Sequence, residues 1–175
     1  MWLICHQICK NVAKKYILNR EQADLKIRRM ALEILENNFE NSTIVVAGIA
    51  PNGSIIAGKL KALLQPHLNN EVVLQEIRLD KKHPGVIEVS PEVDTNGKVV
   101  ILVDDVANSG RTLTYALKPY LQEYPKSIHT LVLVDRTHKQ FPIQADYVGL
   151  SLASTLQEYI DLDVENGEIK GAWME

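Results

Sequence analysis

The stretch Val99-Val-Ile-Leu-Val-Asp-Asp-Val-Ala-Asn-Ser-Gly-Arg-Thr112 decides the fold. Its apolar, β-branched opening, Lys98–Val103, reads as a buried strand. That strand delivers two carboxylates, Asp104 and Asp105, at its C-terminal end. A tight turn, Ala107–Arg111, then feeds directly into a helix over Leu113–Leu121. In open α/β sheets the carboxyl ends of the strands are where ligands bind. Here successive backbone N–H groups and the positive end of a helix dipole converge on one spot that can hold a phosphate. Gly110 permits close approach or a positive φ, Ser109 and Thr112 add hydroxyl donors, and Arg111 adds charge. Two acids beside an anion cradle make sense when the ligand also carries groups that acids hold, such as ribose hydroxyls or a magnesium ion. The plain alternative is an acid pair that caps the next helix and binds nothing.

On both sides of this stretch, helical and strand patterns alternate. Ile4, Ile8 and Val12 recur every four residues, which predicts a helix over Trp2–Lys15. Leu25, Ile27, Met30, Ala31, Ile34 and Leu35 form an apolar stripe in a helix over Glu21–Asn38. Thr43–Ile49 reads as a buried strand, Gly53–Leu64 as a helix and Glu71–Leu79 as a strand. Asp80–Gly85 is a polar loop, Val86–Val89 a short return strand, Ser127–Asp135 a strand and Asp146–Leu150 a short last one. The alternation predicts an α/β fold, a mostly parallel twisted sheet flanked by helices. With no repeat, low-complexity tract or linker, residues 1–175 form a single domain.

The 175 residues suffice for one core without staples. A formal net charge of −3 gives no bulk attraction to polyanions, so DNA is not an expected partner, and RNA would need a local basic patch. Cys5 and Cys9 share a helical face as packing residues and leave no disulfide framework. No apolar run reaches the ~20 residues of a membrane span, and the opening is too short for a signal-peptide core. The chain is therefore expected in the cytoplasm. Neither a Gly-x-x-x-x-Gly-Lys-Ser/Thr loop nor a Gly-x-Gly-x-x-Gly occurs, which argues against a Walker NTPase and a Rossmann dinucleotide site.

Val103–Thr112 resembles the phosphoribosyl-pyrophosphate motif of type I phosphoribosyltransferases. Arg29–Asn38, Lys98–Leu117 and Leu131–Gly149 resemble one branch, the pyrimidine-operon attenuation regulator / uracil phosphoribosyltransferase family. The resemblance covers roughly two thirds of the chain and implies a type I fold with a small hood, contributed by residues 136–165. It implies transfer of the phosphoribosyl group from 5-phosphoribosyl-1-pyrophosphate to a nucleobase, uracil first, with Mg2+ as cofactor. Asp104 and Asp105 would contact the ribose hydroxyls and magnesium, which Asp163 also reaches. Ala107, Asn108, Ser109, Gly110, Arg111 and Thr112 would hold the 5′-phosphate. Pro51, Asn52 and Gly53 stand where the family places its pyrophosphate loop, with a cis peptide at Ala50–Pro51. Arg78, Lys81 and Lys82 would supply charge to pyrophosphate, Lys81 within the catalytic set. The base would lie under the hood near Arg136, with Asp135, Ser154 and Thr155 at hand. The family also implies a homo-oligomer.

Four departures stand out. Purine-salvage relatives carry an Asp where this chain has Asn108, and an amide does no acid–base work at neutral pH. The pyrophosphate loop has no Lys or Arg, and Pro51 has no N–H to donate, so pyrophosphate would be held more weakly. Leu79–Gly97 is shorter than the family's mobile loop. On the basic face, Leu32 and Gln144 replace an expected His and Arg, leaving Arg28, Arg29, His138 and Lys139. The alternative function, a nucleotide-sensing RNA-binding regulator with weak or no catalysis, depends on that thinned face.

Overall fold

The computed structural model describes residues 15–38, 43–81, 83–153 and 159–174. In chain order the elements are β1 (Lys15–Asn19), α1 (Arg20–Asn37), β2 (Ile44–Ile49), α2 (Asn52–Leu64), β3 (Val73–Leu79), β4 (Ile87–Ser90) and β5 (Val99–Ala107). They continue with α3 (Arg111–Ala116), β6 (Ser127–Arg136), β7 (Tyr147–Leu152), β8 (Ile160–Glu165) and β9 (Glu168–Met174). Six strands form the main sheet in the order β4-β3-β2-β5-β6-β7. All its neighbours pair parallel except β3 and β4.

Side-chain alternation along β2 and β5 divides the core in two. Ile44, Val46, Ile101 and Val103 face α1 and α2, against Ile27, Met30, Ile34, Ile56, Leu60 and Leu64. Val45, Ala47, Val100 and Leu102 face the other way, against Leu113, Ala116 and Tyr120. The order also creates a switch point. The unit β2–α2–β3 runs outward to one side and β5–α3–β6 to the other, so a crevice opens between the carboxyl ends of β2 and β5. Those two ends carry Ala50–Gly53 and Asp104–Gly110. Gly53 lets α2 start close to β5: a Cβ there would stand 2.4 Å from the Val103 carbonyl oxygen. Among the described residues, no helix is long and apolar enough to cross a membrane.

Several boundaries differ from the sequence reading. Residues 2–14 of the expected first helix lie outside the described residues, and Lys15 opens a strand instead. α1 begins where Asn19 and Gln22 form a capping box. β5 runs on through both acids to Ala107, because its pairing with β6 continues to Ala107↔Asp135. The expected helix over Leu113–Leu121 is shorter: α3 stops at Ala116, and Tyr120–Gln122 is a separate 3-10 turn after Pro119, a residue that cannot donate to a continuing helix. The last strand of the main sheet is followed by two more. With β1 they form a second, antiparallel sheet in the order β1-β9-β8, with β8 packed against β5. Among the described residues of the segment 136–165 expected to form the hood, β8 belongs to this sheet and β7 is an edge strand of the main one. The remainder comes from the two ends of the described chain.

Candidate active site

A cleft with about 480 Å³ of empty space lies at the switch point. β5 and its following turn supply one wall, Asp104–Gly110; Thr112 and Leu113 continue it, and Lys81 closes one side. Tyr159, Ile160 and Asp161, at the start of β8, face them. Asp104 and Asp105 are buried, and their carboxylates share the ammonium of Lys81, 3.4 Å from Oδ1 of each. The Asp105 amide donates to Asp104 Oδ1 at 3.0 Å, and Asn52 Nδ2 donates to Asp105 Oδ2 at 2.7 Å.

These contacts separate the two acids. Burial pushes the Asp104 carboxyl well above the usual carboxylate range, the neighbouring Asp105 charge adds to this, and Lys81 opposes it. Burial pushes Asp105 up as well, but Lys81 and the hydrogen bonds from Asp104 and Asn52 outweigh it and hold Asp105 low. Desolvation draws the Lys81 ammonium down, and the two carboxylates override that and raise it. The pair is thus a cation site with oxygen donors, occupied here by a lysine. Among the described residues, no three His, Cys, Asp or Glu side chains gather to hold a metal ion alone. Magnesium is commonly bound by one or two carboxylates together with substrate phosphates, so this donor set fits it when a phosphorylated ligand supplies the rest.

The cradle follows from the turn. Gly110 adopts φ +80°, and a Cβ there would stand 2.7 Å from Ile143 Cγ2. The Ser109 carbonyl accepts from the amides of Gln140 and Phe141, which pins the turn to the loop after β6. The helical bonding of α3 begins with the Thr114 amide to the Gly110 carbonyl, so the amides of Arg111, Thr112 and Leu113 precede any intrahelical acceptor. Arg111 donates its amide to Ser109 Oγ at 3.3 Å, and its guanidinium lies 5.4 Å from the Phe141 ring centroid. That places its charge on the outer rim. Behind the turn, Arg136 Nη1 donates to Asn108 Oδ1 at 3.3 Å. Lys139 pairs with Asp135 and donates to the Arg136 carbonyl.

The structure therefore brings Lys81, Asp104, Asp105, Ala107–Gly110 and Thr112 together, with Arg111 on the rim, Asn52 bonded to Asp105 and Gly53 against β5. The Ala50–Pro51 peptide is cis, as the resemblance implied. Arg78 stands apart from the acids: its Nε donates to Glu76 at 2.6 Å in an adjoining groove lined by Ala50, Pro51 and Ser54. Asp163 accepts from the Tyr16 hydroxyl within the second sheet and does not line the cleft. Asp161 takes that place, because β8 meets β5 with its first residues. Lys82, Ser154 and Thr155 lie outside the described residues. Tyr159 and Asp161 escaped the sequence reading: in Tyr159-Ile-Asp-Leu-Asp163 the two acids are equivalent by pattern, and only the packing of β8 distinguishes them.

Comparison with known proteins agrees with this geometry. The family model described as "Phosphoribosyl transferase domain" matches residues 14–161. "Bifunctional protein PyrR" of Actinobacillus pleuropneumoniae is 31% identical over 160 residues, covering 85% of this chain and 89% of that protein. "Bifunctional protein PyrR" of Fusobacterium nucleatum is 32% identical over 161 residues, covering 86% and 91%. A hypoxanthine-guanine phosphoribosyltransferase from Bacillus anthracis superposes with a TM-score of 0.67 at 26% identity, covering 84% of this chain and 85% of that one. The hypoxanthine phosphoribosyltransferase of Trypanosoma cruzi, at 19% identity and a TM-score of 0.73, shares the fold over 91% and 95% of the two chains.

Proposed function

The chain belongs to the type I phosphoribosyltransferase family, and from that premise we propose that it transfers the phosphoribosyl group of 5-phosphoribosyl-1-pyrophosphate to a nucleobase, uracil first, releasing pyrophosphate. The observation that carries this reading is the pairing of two buried, unlike carboxylates with an anion cradle one turn away, both at the switch point. A sugar phosphate with vicinal hydroxyls matches that pattern: the 5′-phosphate in the turn Asn108–Thr112, the 2′- and 3′-hydroxyls on Asp104 and Asp105.

Each residue then has a physical task. The amides at the start of α3, with Ser109 and Thr112, bind the phosphate and fix the ribose. Asp105, held ionised, accepts from a ribose hydroxyl, and Asp104 holds the second. Both acids would also hold magnesium, which supplies charge neutralisation to the departing pyrophosphate. Lys81 gives up its contacts with the acids as the donor enters and turns its ammonium to the pyrophosphate side. The ring nitrogen of the base loses its proton to water and forms a bond to the anomeric carbon while the bond to pyrophosphate oxygen breaks, through an oxocarbenium-like state. Positioning and charge stabilisation carry such a reaction. Arg78 shares a groove with Ala50 and Pro51 of the pyrophosphate loop. The loop's lack of Lys or Arg supports weaker pyrophosphate stabilisation. The proposal includes a cytoplasmic homo-oligomer, Thr155 and Arg136 near the base, and Asp163 only as a distant support for β8.

The test is pyrophosphate release from 5-phosphoribosyl-1-pyrophosphate and magnesium with a panel of uracil, hypoxanthine, guanine and adenine. Release with uracil above every purine is expected. Release with a purine alone would reassign the base, and none with any base would remove the transferase.

A further inference from the structure

We propose that Asn108 is a specificity-determining residue whose amide, latched by Arg136, presents a hydrogen-bond donor to the carbonyl beside the ribosylated nitrogen of a pyrimidine. The inference rests on the transferase reading above and names what selects the base.

Amide orientation is ordinarily ambiguous. Here it is fixed by chemistry, because a guanidinium has five donors and no acceptor. The atom 3.3 Å from Arg136 Nη1 is therefore Oδ1, and the Nδ2 group occupies the other side of the amide. Arg136 is buried, at 9% exposure, on the end of β6, so the latch stands on a strand of the main sheet. Asn108 is half-buried and lines the cleft with Tyr159 and Ile160. Among the described residues, its Nδ2 has no acceptor within hydrogen-bond reach. Asn52 differs: its Nδ2 is engaged by Asp105.

Asn108 opens the cradle turn and joins the strand that carries the acids to the rest of the cradle. A ribose held by its hydroxyls at the acids and its 5′-phosphate at the cradle directs its anomeric substituent at this wall and at β8 opposite. When a base displaces water from the cleft, a donor without an acceptor loses its hydrogen bond, and that loss is a strong source of discrimination. A pyrimidine such as uracil carries a carbonyl oxygen beside the nitrogen that bonds to the sugar. A 6-oxopurine joined through its imidazole ring carries none there.

The experiment measures calorimetric affinities of the full chain for two nucleotides. One is uridine 5′-monophosphate; the other is 1-ribosyl-4-pyridone 5′-monophosphate, which lacks the carbonyl beside the ribosylated nitrogen. The wild type should prefer the uridine nucleotide by about ten-fold or more, a typical cost of one lost hydrogen bond in a closed site. Asn108→Ala and Asn108→Asp should each shrink that preference to about two-fold or less, and Arg136→Lys, which keeps a donor for Oδ1, should retain part of it. Both nucleotides carry the same ribose 5′-phosphate, so any change that a variant makes in the cradle weakens both alike and cancels from the preference. A full preference persisting in both Asn108 variants would overturn the assignment, and uracil-dependent pyrophosphate release in the same protein would leave the transferase reading intact. Nucleotide selection that depends on Asn108 without pyrophosphate release would do the reverse. Failure of the wild type to bind the uridine nucleotide would overturn both.

Discussion

In the cleft, Asp104 and Asp105 are all but hidden from solvent and share one ammonium, that of Lys81, which is itself 42% exposed. On the surface made by α1 and the loop after β6, the cations are mostly exposed, yet two of them already have partners. Arg29 pairs with Glu33 and donates to the Val148 carbonyl at 2.5 Å. Lys139 is taken up by Asp135 and the Arg136 carbonyl. Burying charge is costly unless something meets it, so a pair of hidden acids with one borrowed cation is a site waiting for a ligand. Exposed pairs contribute little, about 0–1 kcal/mol, and a cation tied to its own fold has less to offer a polyanion. Number and sign of charges say less than whether the fold has already satisfied them.

The strongest way to break this comparison is to remove the buried charge. Asp104→Asn with Asp105→Asn should lower the affinity for 5-phosphoribosyl-1-pyrophosphate and magnesium by about 100-fold or more in calorimetry, as two charged hydrogen bonds and a cation site are lost together. The fold should survive. Asp104 has a raised carboxyl in the folded chain, so folding favours its protonated form. That stabilisation is complete below the unfolded value, about 3.9, and is lost as pH rises through the folded value. Asp104→Asn alone escapes the loss, so its melting temperature should exceed that of the wild type by about 2–4 °C at neutral pH for each kcal/mol relieved. The gap should close as pH falls to about 4. Unchanged donor affinity in the double variant would end the site assignment, and a melting temperature that falls at neutral pH would show that Lys81 outweighs the burial.

A smaller effect tests the cradle. At Gly110 the left-handed φ and the 2.7 Å approach to Ile143 Cγ2 both oppose a side chain. Gly110→Ala should cost about 1–3 kcal/mol of stability and about ten-fold in donor affinity, as the turn shifts its amides. Arg28→Ala, on the other surface, should change neither quantity. Equal losses in the two variants, read by thermal melts and calorimetry, would erase the distinction between the regions.

The parts legible in the sequence were those with local signals. The β-branched run of β5, the acids after it and the turn Asn108–Thr112 declared themselves because strand, turn and helix chemistry agree there. β1, β8 and β9 did not. Ile160–Glu165 alternates strictly between apolar and polar residues, a strand signal that the sequence reading passed over, whereas Glu168–Met174 pairs with Lys15–Asn19 across most of the chain, a match that no local pattern encodes. The shortfall at the site has the same origin. Asp161 and Asp163 are alike in sequence, and the packing of β8 against β5 decides which one faces the cleft. Lys81 was read as a charge for pyrophosphate; its contact with both acids depends on how the loop after β3 folds back. The Arg136–Asn108 bond joins residues 28 apart, one at the end of β6 and one in the turn after β5, which meet only in the folded sheet.

The smallest expected effect concerns the surface of α1 and the 136–141 loop. RNA binding by such a surface scales with the number of phosphates neutralised, since each contact releases counterions, with a salt slope near −0.7 per contact for single strands and about −0.9 for duplex. Of the four basic residues retained there, Arg29 and Lys139 have partners within the chain, and Arg28 and His138 remain exposed. Leu32, 54% exposed, offers an apolar side chain where charge was expected, and the whole chain carries −3. One or two contacts therefore predict a slope no steeper than about −2, and no saturable binding of a hairpin RNA below about 10 μM at physiological salt. Restoring charge by Gln144→Arg should steepen the slope by about one contact while leaving donor affinity unchanged, because Gln144 does not line the cleft. A titration at several salt concentrations measures both quantities. Submicromolar, sequence-specific binding of a leader RNA by the wild type would show that partnered cations are still available to a polyanion, and would make the regulator the better reading of this chain.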